Sequence, residues 1–351
     1  MKRISVAILG ATGTVGQRFV QLLEGHPWLE IAVLAASERS VGRSYADACS
    51  WRLPTALPEN ARWLIVQPLD PEKLHGVDLV FSALPAATAR EVEPAFAEAG
   101  MAISSNASAY RFEDDVPLLV PEINAEHATL IDAQRRERGW PGLLVTNPNC
   151  TTTGIALVLK PLADAFGLRT VVATSMQAVS GAGYPGVPSL DALDNVLSLI
   201  PGEEEKMETE ARLLLGSVDE GRQVEATFSL SAQANRVPVL EGHTVCLSIG
   251  FEQPVTPEEA RSTLAGFLGA AAARDLPSSP TFPILVRPEI DRPQPRLDRD
   301  AGGGMQVVVG RIRECPVLDL RLVLVVNNTV RGAAGGSILN GELLIREGYI
   351  R

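Results

Sequence analysis

The sequence predicts an α/β protein with an N-terminal Rossmann-like, doubly wound parallel sheet and a second, α+β domain built on a mixed sheet. Its 351 residues exceed the usual size of a single domain, which favours two domains. In the first half, short runs rich in Val, Ile and Leu alternate with amphipathic stretches, as in a parallel sheet buried on both faces. From about residue 170 the apolar residues recur at two-residue spacing, which is typical of mixed or antiparallel strands.

The individual strands are predicted from these apolar runs. In the first domain they are Ile4 to Leu9, Ile31 to Ala35, Leu64 to Val66, Leu79 to Ser82, Ala102 to Ser104 and Leu143 to Thr146. In the second domain they are Thr244 to Phe251, Gln306 to Gly310 and Asp319 to Val326. The segment from Asp275 to Gly304, dense in Pro, Asp and Arg, predicts a long surface loop.

Composition and charge indicate a globular protein and argue against a nucleic-acid-binding one. Hydrophobic residues make up 46% and charged residues 21% of the chain, which is ordinary globular usage. The formal charge is -11 without a Lys/Arg block, which argues against a nucleic-acid surface because phosphate binding needs clustered positive charge. The N-terminus runs directly into a strand, without the apolar stretch of a signal peptide or membrane span. We therefore expect a cytoplasmic protein that binds neither nucleic acid nor membrane.

A glycine-rich turn after the first predicted strand indicates a dinucleotide site. Glycines at this position allow a tight turn and close approach of the backbone to a pyrophosphate, which then lies at the N-terminus of the following helix. The spacing is GxxGxxG rather than GxGxxG, so the position in the fold carries the prediction, and a plain glycine turn is the alternative. The expected contact residues are Gly10, Thr12, Gly13, Thr14, Val15 and Gly16.

The end of the second strand favours NADP over NAD. An NAD enzyme usually places an Asp or Glu there against the ribose 2′-hydroxyl. This strand ends in Ala35-Ala36 and continues with Ser37, Arg39 and Ser40, whose hydroxyl and guanidinium groups suit a 2′-phosphate. Glu38 is an adjacent acid that weakens the inference, and a solvated loop charge is the alternative for Arg39.

Cys150 is the cysteine whose context favours a reactive thiolate. The four cysteines lie far apart, without the spacing of a zinc site, so we expect free thiols and no bound metal. Cys150 follows an Asn-Pro-Asn turn and opens an apolar helix, and the potential at a helix start lowers a thiol pKa. We expect Asn149 and neighbouring amides to supply oxyanion donors. Cys49, Cys246 and Cys315 are interpreted as small buried apolar residues.

A thiol nucleophile needs a proton acceptor, and His243 is the predicted one. It lies at the start of a predicted strand, seven residues after Arg236, so that base and cation can face one cleft. A histidine that only caps a turn is the alternative. His26, His75 and His127 lie in turn-like or polar segments and are expected to be exposed.

Seven segments resemble, in the same order, those of aspartate-semialdehyde dehydrogenases. They are GATGTVG, SNASAYRFEDDVPLLVPEIN, NPNCTTTG, QAVSGAGYPG, GEEEKMETE, RVPVLEGHT and GRIRECPVLDLRLVLVVNNTVRGAAGG. The resemblance spans almost the whole chain and is strongest to the archaeal and fungal branch of the family. NPNC followed at a distance by RxPxxxGH is a specific signal.

The resemblance implies roles for individual residues in catalysis. Cys150 matches the family's thioester-forming cysteine, His243 its acid/base and Gln177 a glutamine of its active site. The implied cofactor contacts outside the glycine turn and the second strand are Ser180, Gly181 and Asn328.

The resemblance also implies how the substrate is held. Arg236 matches the arginine that grips the substrate carboxylate. Arg111 and Lys206 match the cations that receive phosphate. Glu203 matches the glutamate that meets the substrate amino group, although the two glutamates that follow it leave this assignment open.

The implied activity is the reversible, NADP-dependent reduction of L-aspartyl 4-phosphate to L-aspartate 4-semialdehyde, with release of phosphate. The reaction proceeds through a thioester and belongs to the biosynthesis of lysine, threonine, methionine and isoleucine. Residues 1–149 are expected to bind NADP, completed by a C-terminal helix at about 331–351, and residues 150–330 to form the catalytic and dimerisation domain. A homodimer or homotetramer is expected.

Two alternatives stay open at this point. A malonyl-CoA reductase of the same fold resembles the same branch and uses the same cysteine chemistry on a thioester. A non-catalytic NADP-binding sensor is the other, and the intact set of catalytic residues speaks against it. N-acetylglutamyl-phosphate reductase and glyceraldehyde-3-phosphate dehydrogenase fit the remaining motifs poorly.

Overall fold

The structure, a computed structural model, describes residues 3–350. Residues 1, 2 and 351, which the predicted domain bounds include, lie outside the described residues. The strands are β1 (Ile4–Leu9), β2 (Leu29–Ala35), β3 (Leu79–Ser82), β4 (Ala102–Ser105), β5 (Leu143–Thr146), β6 (Leu168–Gln177), β7 (Ser217–Asp219), β8 (Arg222–Val224), β9 (Ser229–Arg236), β10 (His243–Phe251), β11 (Ile284–Val286), β12 (Val307–Glu314) and β13 (Leu320–Val326).

The helices complete the layers around these strands. They are α1 (Thr14–Leu22), α2 (Tyr45–Ala48), α3 (Glu59–Arg62), α4 (Ala86–Glu98), α5 (Pro121–Asn124), α6 (Leu130–Arg138), α7 (Cys150–Phe166), α8 (Ser189–Ala192), α9 (Glu203–Leu214), α10 (Pro257–Ala265), α11 (Pro295–Asp298) and α12 (Gly335–Arg346). Within residues 3–350, none of the helices is both long and apolar enough to cross a membrane.

The first sheet is parallel and has the strand order β2-β1-β3-β4-β5 within the described residues. All residues of β3, β4 and β5 are buried, as expected for strands covered on both faces. The predicted doubly wound sheet is therefore confirmed. The run Leu64 to Val66 is not one of its strands, because this run makes only an isolated bridge from Ile65 to Ser44. The C-terminal helix α12 packs on this sheet, with Ile338 and Leu344 in one core with Phe81.

The second sheet is mixed, with the order β11-β12-β13-β10-β6-β9 within residues 3–350. The pairs β6–β9 and β11–β12 are parallel and the others are antiparallel. Strand β9 alternates exposed and buried residues along its length, which matches the two-residue spacing read from the sequence. Helices α7 and α10 pack on the buried face through one large apolar core.

The segment from Asp275 to Gly304 is not the plain surface loop that its composition predicts. It contributes β11, which pairs with β12 and buries Ile284. It also contains α11, whose Asp298 is buried and accepts hydrogen bonds from Arg287 and Arg292. Ion pairing therefore satisfies the charge of Asp298 and lets this polar segment fold onto the second sheet.

A buried ion pair fastens the C-terminal part of the chain to the first half. Arg331 donates to both carboxylate oxygens of Glu122, at 2.6 and 2.7 Å. Both side chains are almost completely buried. Glu122 lies on α5, whereas Arg331 lies in the helical turn that precedes α12. A charge buried this deeply requires its partner, because burial removes the solvation that water gives to an exposed charge.

Candidate active site

The topology brings four predicted residues to one edge of the second sheet. Gln177 and Arg236 are the last residues of β6 and β9, and they are register partners in a parallel pair. His243 is the first residue of β10, which runs antiparallel to β6 and therefore begins where β6 ends. Cys150 opens α7 after the turn that follows β5. Strand ends from both sheets thus meet at one cleft.

This cleft contains a cavity of about 560 Å³. The sequence-predicted residues that line it are Asn149, Cys150, Gln177, Gly181, Arg111, Glu203, Lys206 and Arg236. His243 lies behind the cysteine and is completely buried. Among the described residues, no group of three or more His, Cys, Asp or Glu side chains is arranged to hold a metal ion.

Cys150 and His243 are in direct contact. The Sγ atom lies 3.2 Å from Nε2 of the histidine. The backbone N–H of Ala178 donates to Nδ1 at 3.0 Å, so Nδ1 is an acceptor and the neutral ring carries its hydrogen on Nε2. Burial, and then the charge of Arg236, lower the pKa of His243 to about 3. The ring is therefore neutral and presents Nε2–H to the sulfur.

The electrostatics at Cys150 differ from the sequence-based expectation of a low thiol pKa. Burial, and then the carboxylate of Glu203, raise the pKa of Cys150 to about 12, while Arg111 and Arg236 act in the opposite direction. Asn149 caps the helix that Cys150 opens, because its Oδ1 accepts hydrogen bonds from the backbone N–H groups of Thr151 and Thr152. Desolvation is the largest influence on the thiol pKa.

Asn149 lines the cavity and makes hydrogen bonds from both its side chain and its backbone. Its side-chain Nδ2 donates to Glu203 at 2.7 Å, and its backbone N–H donates to Glu210 at 2.6 Å. Both carboxylates belong to α9. Asn149 therefore links the turn before Cys150 (residues 147–149) to α9.

The structure distinguishes the three adjoining glutamates. Glu203, the first residue of α9, lines the cavity and accepts hydrogen bonds from Asn149 and from Gln177 Nε2, the latter at 3.0 Å. Glu204 accepts the backbone N–H of Ala234 on β9, and Glu205 is exposed. Only Glu203 is in a position to meet a molecule in the cavity.

Three cations line the cavity with different partners. Arg111 donates from Nη1 to Glu210 and from Nη2 to the carbonyl oxygen of Asn106. Arg236 donates from Nη1 to the carbonyl oxygen of Ala178 at 2.9 Å. Lys206 Nζ lies 3.7 Å from Glu203. These cations make the cavity suited to an anion with more than one charged group.

The predicted dinucleotide residues lie at the carboxyl ends of β1 and β2, next to the switch point of the first sheet. A Cβ at Gly16 would lie 2.2 Å from the carbonyl oxygen of Gly10, so only glycine allows α1 to start this close to the turn. The N-cap of α1, Gly13, offers no side chain to its first N–H groups. After β2, Ser37 and Arg39 are exposed and Ser40 is buried. These residues fit a dinucleotide phosphate.

The remaining predicted cofactor contacts meet where the two halves of the chain approach each other. Asn328 Nδ2 donates to Ser180 Oγ at 2.8 Å, and the N–H of Gly242, next to His243, donates to Asn328 Oδ1 at 2.9 Å. A Cβ at Gly181 would lie 2.7 Å from Arg236 Nη1. The absence of a side chain at Gly181 therefore makes room for that guanidinium.

The sequence-based interpretation missed two residues of this site. Glu210 is completely buried and holds both Arg111 and the turn before Cys150. Its position seven residues after Glu203 places both on one face of a helix, and that periodicity was a usable signal. Gly332 lies against Cys150, since a Cβ there would be 2.5 Å from Cys150 Cβ. It belongs to the segment NNTVRGAAGG, one of the family-like segments, but no local pattern indicates its contact with Cys150.

The other histidines and cysteines depart from expectation in part. His26 and His127 are buried rather than exposed, because Glu342 pairs with the first at 2.8 Å and Asn124 bonds to the second at 3.1 Å. His75 is exposed as expected. Cys246 is exposed on the open face of β10 rather than buried. Its strand neighbours face the apolar core instead.

Family models match most of the chain. Residues 5–131 match the model described as the NAD binding domain of semialdehyde dehydrogenase. Residues 159–331 match the model described as the dimerisation domain of semialdehyde dehydrogenase.

Individual relatives match over their full length. The aspartate-semialdehyde dehydrogenase of Archaeoglobus fulgidus is 53% identical, with 99% of this chain and all of the relative covered. That of Schizosaccharomyces pombe is 47% identical, with coverage of 98% and 99%. The crystal structure of aspartate semialdehyde dehydrogenase with NADP from Candida albicans superposes with a TM-score of 0.92 at 42% identity, covering 99% of this chain and 100% of that chain.

Proposed function

The chain belongs to the aspartate-semialdehyde dehydrogenase family, and on that premise we propose that its cavity interconverts L-aspartyl 4-phosphate and L-aspartate 4-semialdehyde with NADP(H). The observation that carries the proposal is the Cys150–His243 contact of 3.2 Å beside a cavity with three cations. This combination suits acyl transfer from an anionic substrate to a thiol. The same activity places the protein in the biosynthesis of lysine, threonine, methionine and isoleucine.

The charges around the cavity match the charges of the substrate. Aspartyl phosphate carries a phosphate, an α-carboxylate and an ammonium group, so its recognition needs at least two cationic contacts and one acid. We assign Arg111 and Lys206 to the phosphate, since both line the cavity. Arg236 is assigned to the α-carboxylate, because its planar guanidinium suits a bidentate contact. Glu203 is assigned to the ammonium group.

The reaction begins when the sulfur of Cys150 attacks the acyl carbon. Phosphate leaves and takes up the thiol proton as hydrogen phosphate, and the acyl group is then held as a thioester. Bound NADPH supplies the hydride that reduces this thioester. The resulting tetrahedral oxyanion collapses to the aldehyde and releases the Cys150 thiolate, which takes up one proton from solvent to regenerate the thiol. Gln177, bonded to Glu203, helps to orient the reacting group.

His243 is assigned a donor role in these steps. Its Nε2–H faces Sγ because Ala178 donates to Nδ1, so the ring stabilises the thiolate and then the oxyanion by hydrogen-bond donation. The role of base, expected from the sequence, requires the ring to accept a proton at Nε2. That step would first break the bond from Ala178, and we therefore assign it lower importance.

NADP is assigned to the glycine turn of the first sheet. We propose that Gly10, Gly13 and Gly16 allow the pyrophosphate to approach α1, together with Thr12, Thr14 and Val15. Ser37, Arg39 and Ser40 are assigned to the 2′-phosphate, and no acid occupies the end of β2. Ser180, Gly181 and Asn328 complete the site from the other half of the chain. The relative from Candida albicans, whose structure contains NADP, supports the cofactor.

Replacing Arg39 with alanine should weaken the binding of NADPH far more than the binding of NADH. A lost charge-assisted contact to the 2′-phosphate should raise the Michaelis constant for NADPH about tenfold. The constant for NADH should change little, because NADH lacks that phosphate. Initial rates with each cofactor measure both constants. Arg43→Ala, four residues further in the same loop, is the matched control, and an equal loss for both cofactors would show that Arg39 only shapes the loop.

Domain division, assembly and location are part of the same proposal. We assign residues 1–149 with the C-terminal segment from 331 to NADP binding, and residues 150–330 to catalysis and dimerisation. The match to a dimerisation domain supports an oligomer, which we propose is a homodimer or homotetramer. A cytoplasmic location is proposed because the mechanism needs Cys150 reduced.

Arg111→Ala tests the acyl-phosphate assignment. In the oxidative direction it should raise the Michaelis constant for inorganic phosphate about tenfold or more, since a cationic contact to phosphate is lost. The constant for the semialdehyde should change little. The measurement is the initial rate of NADPH formation with each reactant varied in turn. If the parent enzyme shows no dependence on phosphate, the assignment fails and a thioester reductase, tested with malonate semialdehyde and coenzyme A, takes its place.

A further inference from the structure

Glu210 occupies a place in the site that the proposed reaction does not yet use. It lies on α9, two helical turns after Glu203, and its side chain is completely buried. One carboxylate oxygen accepts from Arg111 Nη1 at 2.9 Å, and the other accepts from the backbone N–H of Asn149 at 2.6 Å. One carboxylate therefore joins the cation of the cavity to the turn that carries Cys150.

Glu210 helps to fix the orientation of the Arg111 guanidinium. Nη1 is held by Glu210 and Nη2 by the carbonyl oxygen of Asn106. Nε is buried and has no partner among the described residues, although the side chain lines the cavity. Two fixed contacts thus orient the plane of the guanidinium, and Nη1 and Nη2 each keep a second N–H that can donate to a ligand in the cavity.

The contact to Asn149 has a separate consequence. The bond to the backbone N–H fixes the residue immediately before Cys150, and the side chain of Asn149 caps the helix that Cys150 opens. A shift of this turn would move the sulfur relative to the substrate. A displacement of about 1 Å at the reacting atoms can lower the rate on the order of 100-fold.

We propose that Glu210 is a positioning residue that sets the distance between the phosphate-binding guanidinium and the nucleophile by holding Arg111 and the Asn149 N–H with one carboxylate. This inference rests on the proposed function. Glu210 does not line the cavity, so it acts through Arg111 and the turn rather than on the substrate. A carboxylate suits the task because it accepts from two donors at once, whereas an amide would turn an N–H₂ group towards one of them.

The first experiment compares Glu210→Gln with Glu208→Gln. Glu208 lies on the same helix and accepts the backbone N–H of Ala232 at 2.9 Å, away from the cavity. Glu210→Gln should raise the Michaelis constant for inorganic phosphate about tenfold and lower kcat, while the constants for NADP and the semialdehyde stay near those of the parent. Glu208→Gln should leave all of these unchanged. An unchanged phosphate constant in Glu210→Gln overturns the inference.

A double-mutant cycle with Arg111 shows whether Glu210 acts through it. In an Arg111→Ala background, Glu210→Gln should add almost nothing to the phosphate constant, but it should still lower kcat through the Asn149 turn. If Glu210→Gln raises the Michaelis constant for phosphate by the same factor with and without Arg111, Glu210 acts independently of Arg111 and the inference is wrong. The dissociation constant for NADP and the melting curve report on folding, and Glu210→Asp, which keeps the charge with a shorter reach, replaces Glu210→Gln if that variant does not fold.

Failure of the inference is distinguishable from failure of the proposed function. The parent enzyme is measured first, and no dependence on phosphate there would reject the acyl-phosphate reaction itself. A phosphate dependence that survives in Glu210→Gln with the parent's constant would reject only the role of Glu210.

Discussion

Replacing Cys150 with serine is expected to abolish turnover in both directions, to below about 1% of the parent rate. An alcohol has a far higher pKa than a thiol and is a much weaker nucleophile towards an acyl carbon. The change is almost isosteric, so the contact with His243 and the fold should persist. The measurement is the initial rate of NADPH oxidation with aspartyl phosphate, with the NADP dissociation constant as the control for folding.

Cys246→Ser is the matched control for this prediction. Cys246 is exposed on β10, and its replacement should leave the rate near that of the parent. Mass spectrometry of enzyme quenched during turnover should also find the acyl group on the peptide that contains Cys150. More than a few per cent of the parent rate in Cys150→Ser would be incompatible with Cys150 as the nucleophile.

Glu122→Ala is expected to give the largest loss of stability among single substitutions considered for this chain. It leaves the guanidinium of Arg331 buried without its bidentate partner. Breaking a buried pair in this way lowers the free energy of unfolding by about 3–5 kcal/mol, because an uncompensated charge remains in the core. Urea unfolding followed by circular dichroism measures the loss.

Two further variants show whether the loss of stability comes from the unpaired buried charge or only from the lost contact. Glu225→Ala removes an exposed partner of Arg212 and should cost less than about 1 kcal/mol. Glu122→Ala combined with Arg331→Met removes both charges and should recover part of the lost stability. If the double variant is as unstable as Glu122→Ala alone, the unpaired charge is not the cause.

Much of the fold could be predicted from the sequence because the relevant signals are local. The apolar run from Ile4 to Leu9 coincides with β1, and the run from Leu79 to Ser82 coincides with β3. Leu64 to Val66 is equally apolar but forms only one isolated bridge. Short apolar runs do not reveal whether a neighbouring strand is within reach, and that limit also explains the strand β11 inside a polar segment.

The sequence predicted which residues meet at the cleft, but it did not predict their protonation or hydrogen bonding. Cys150 and His243 were found from their positions at element ends, and the structure brings them together. The structure does not give the expected lowering of the thiol pKa, because desolvation of the half-buried Cys150 and the nearby carboxylate of Glu203 raise it, and both effects arise only in the packed chain. The hydrogen bonds of Asn149 to two carboxylates on α9 likewise arise only when distant segments pack.

By itself, the sequence determined the α/β class, the glycine turn and the positions of Cys150 and His243 at element ends, since each depends on local periodicity or on a short motif, and it predicted the charged residues of the cavity through resemblance to a family. Only the tertiary structure decided that Glu203 rather than Glu204 or Glu205 faces the cavity, that Ala178 directs the hydrogen of His243 towards sulfur, and that Glu210 joins Arg111 to the turn before Cys150. These outcomes depend on which donors and acceptors come within about 3 Å after distant segments pack, and hydrogen-bond strength falls too steeply with distance and angle for sequence spacing to predict them.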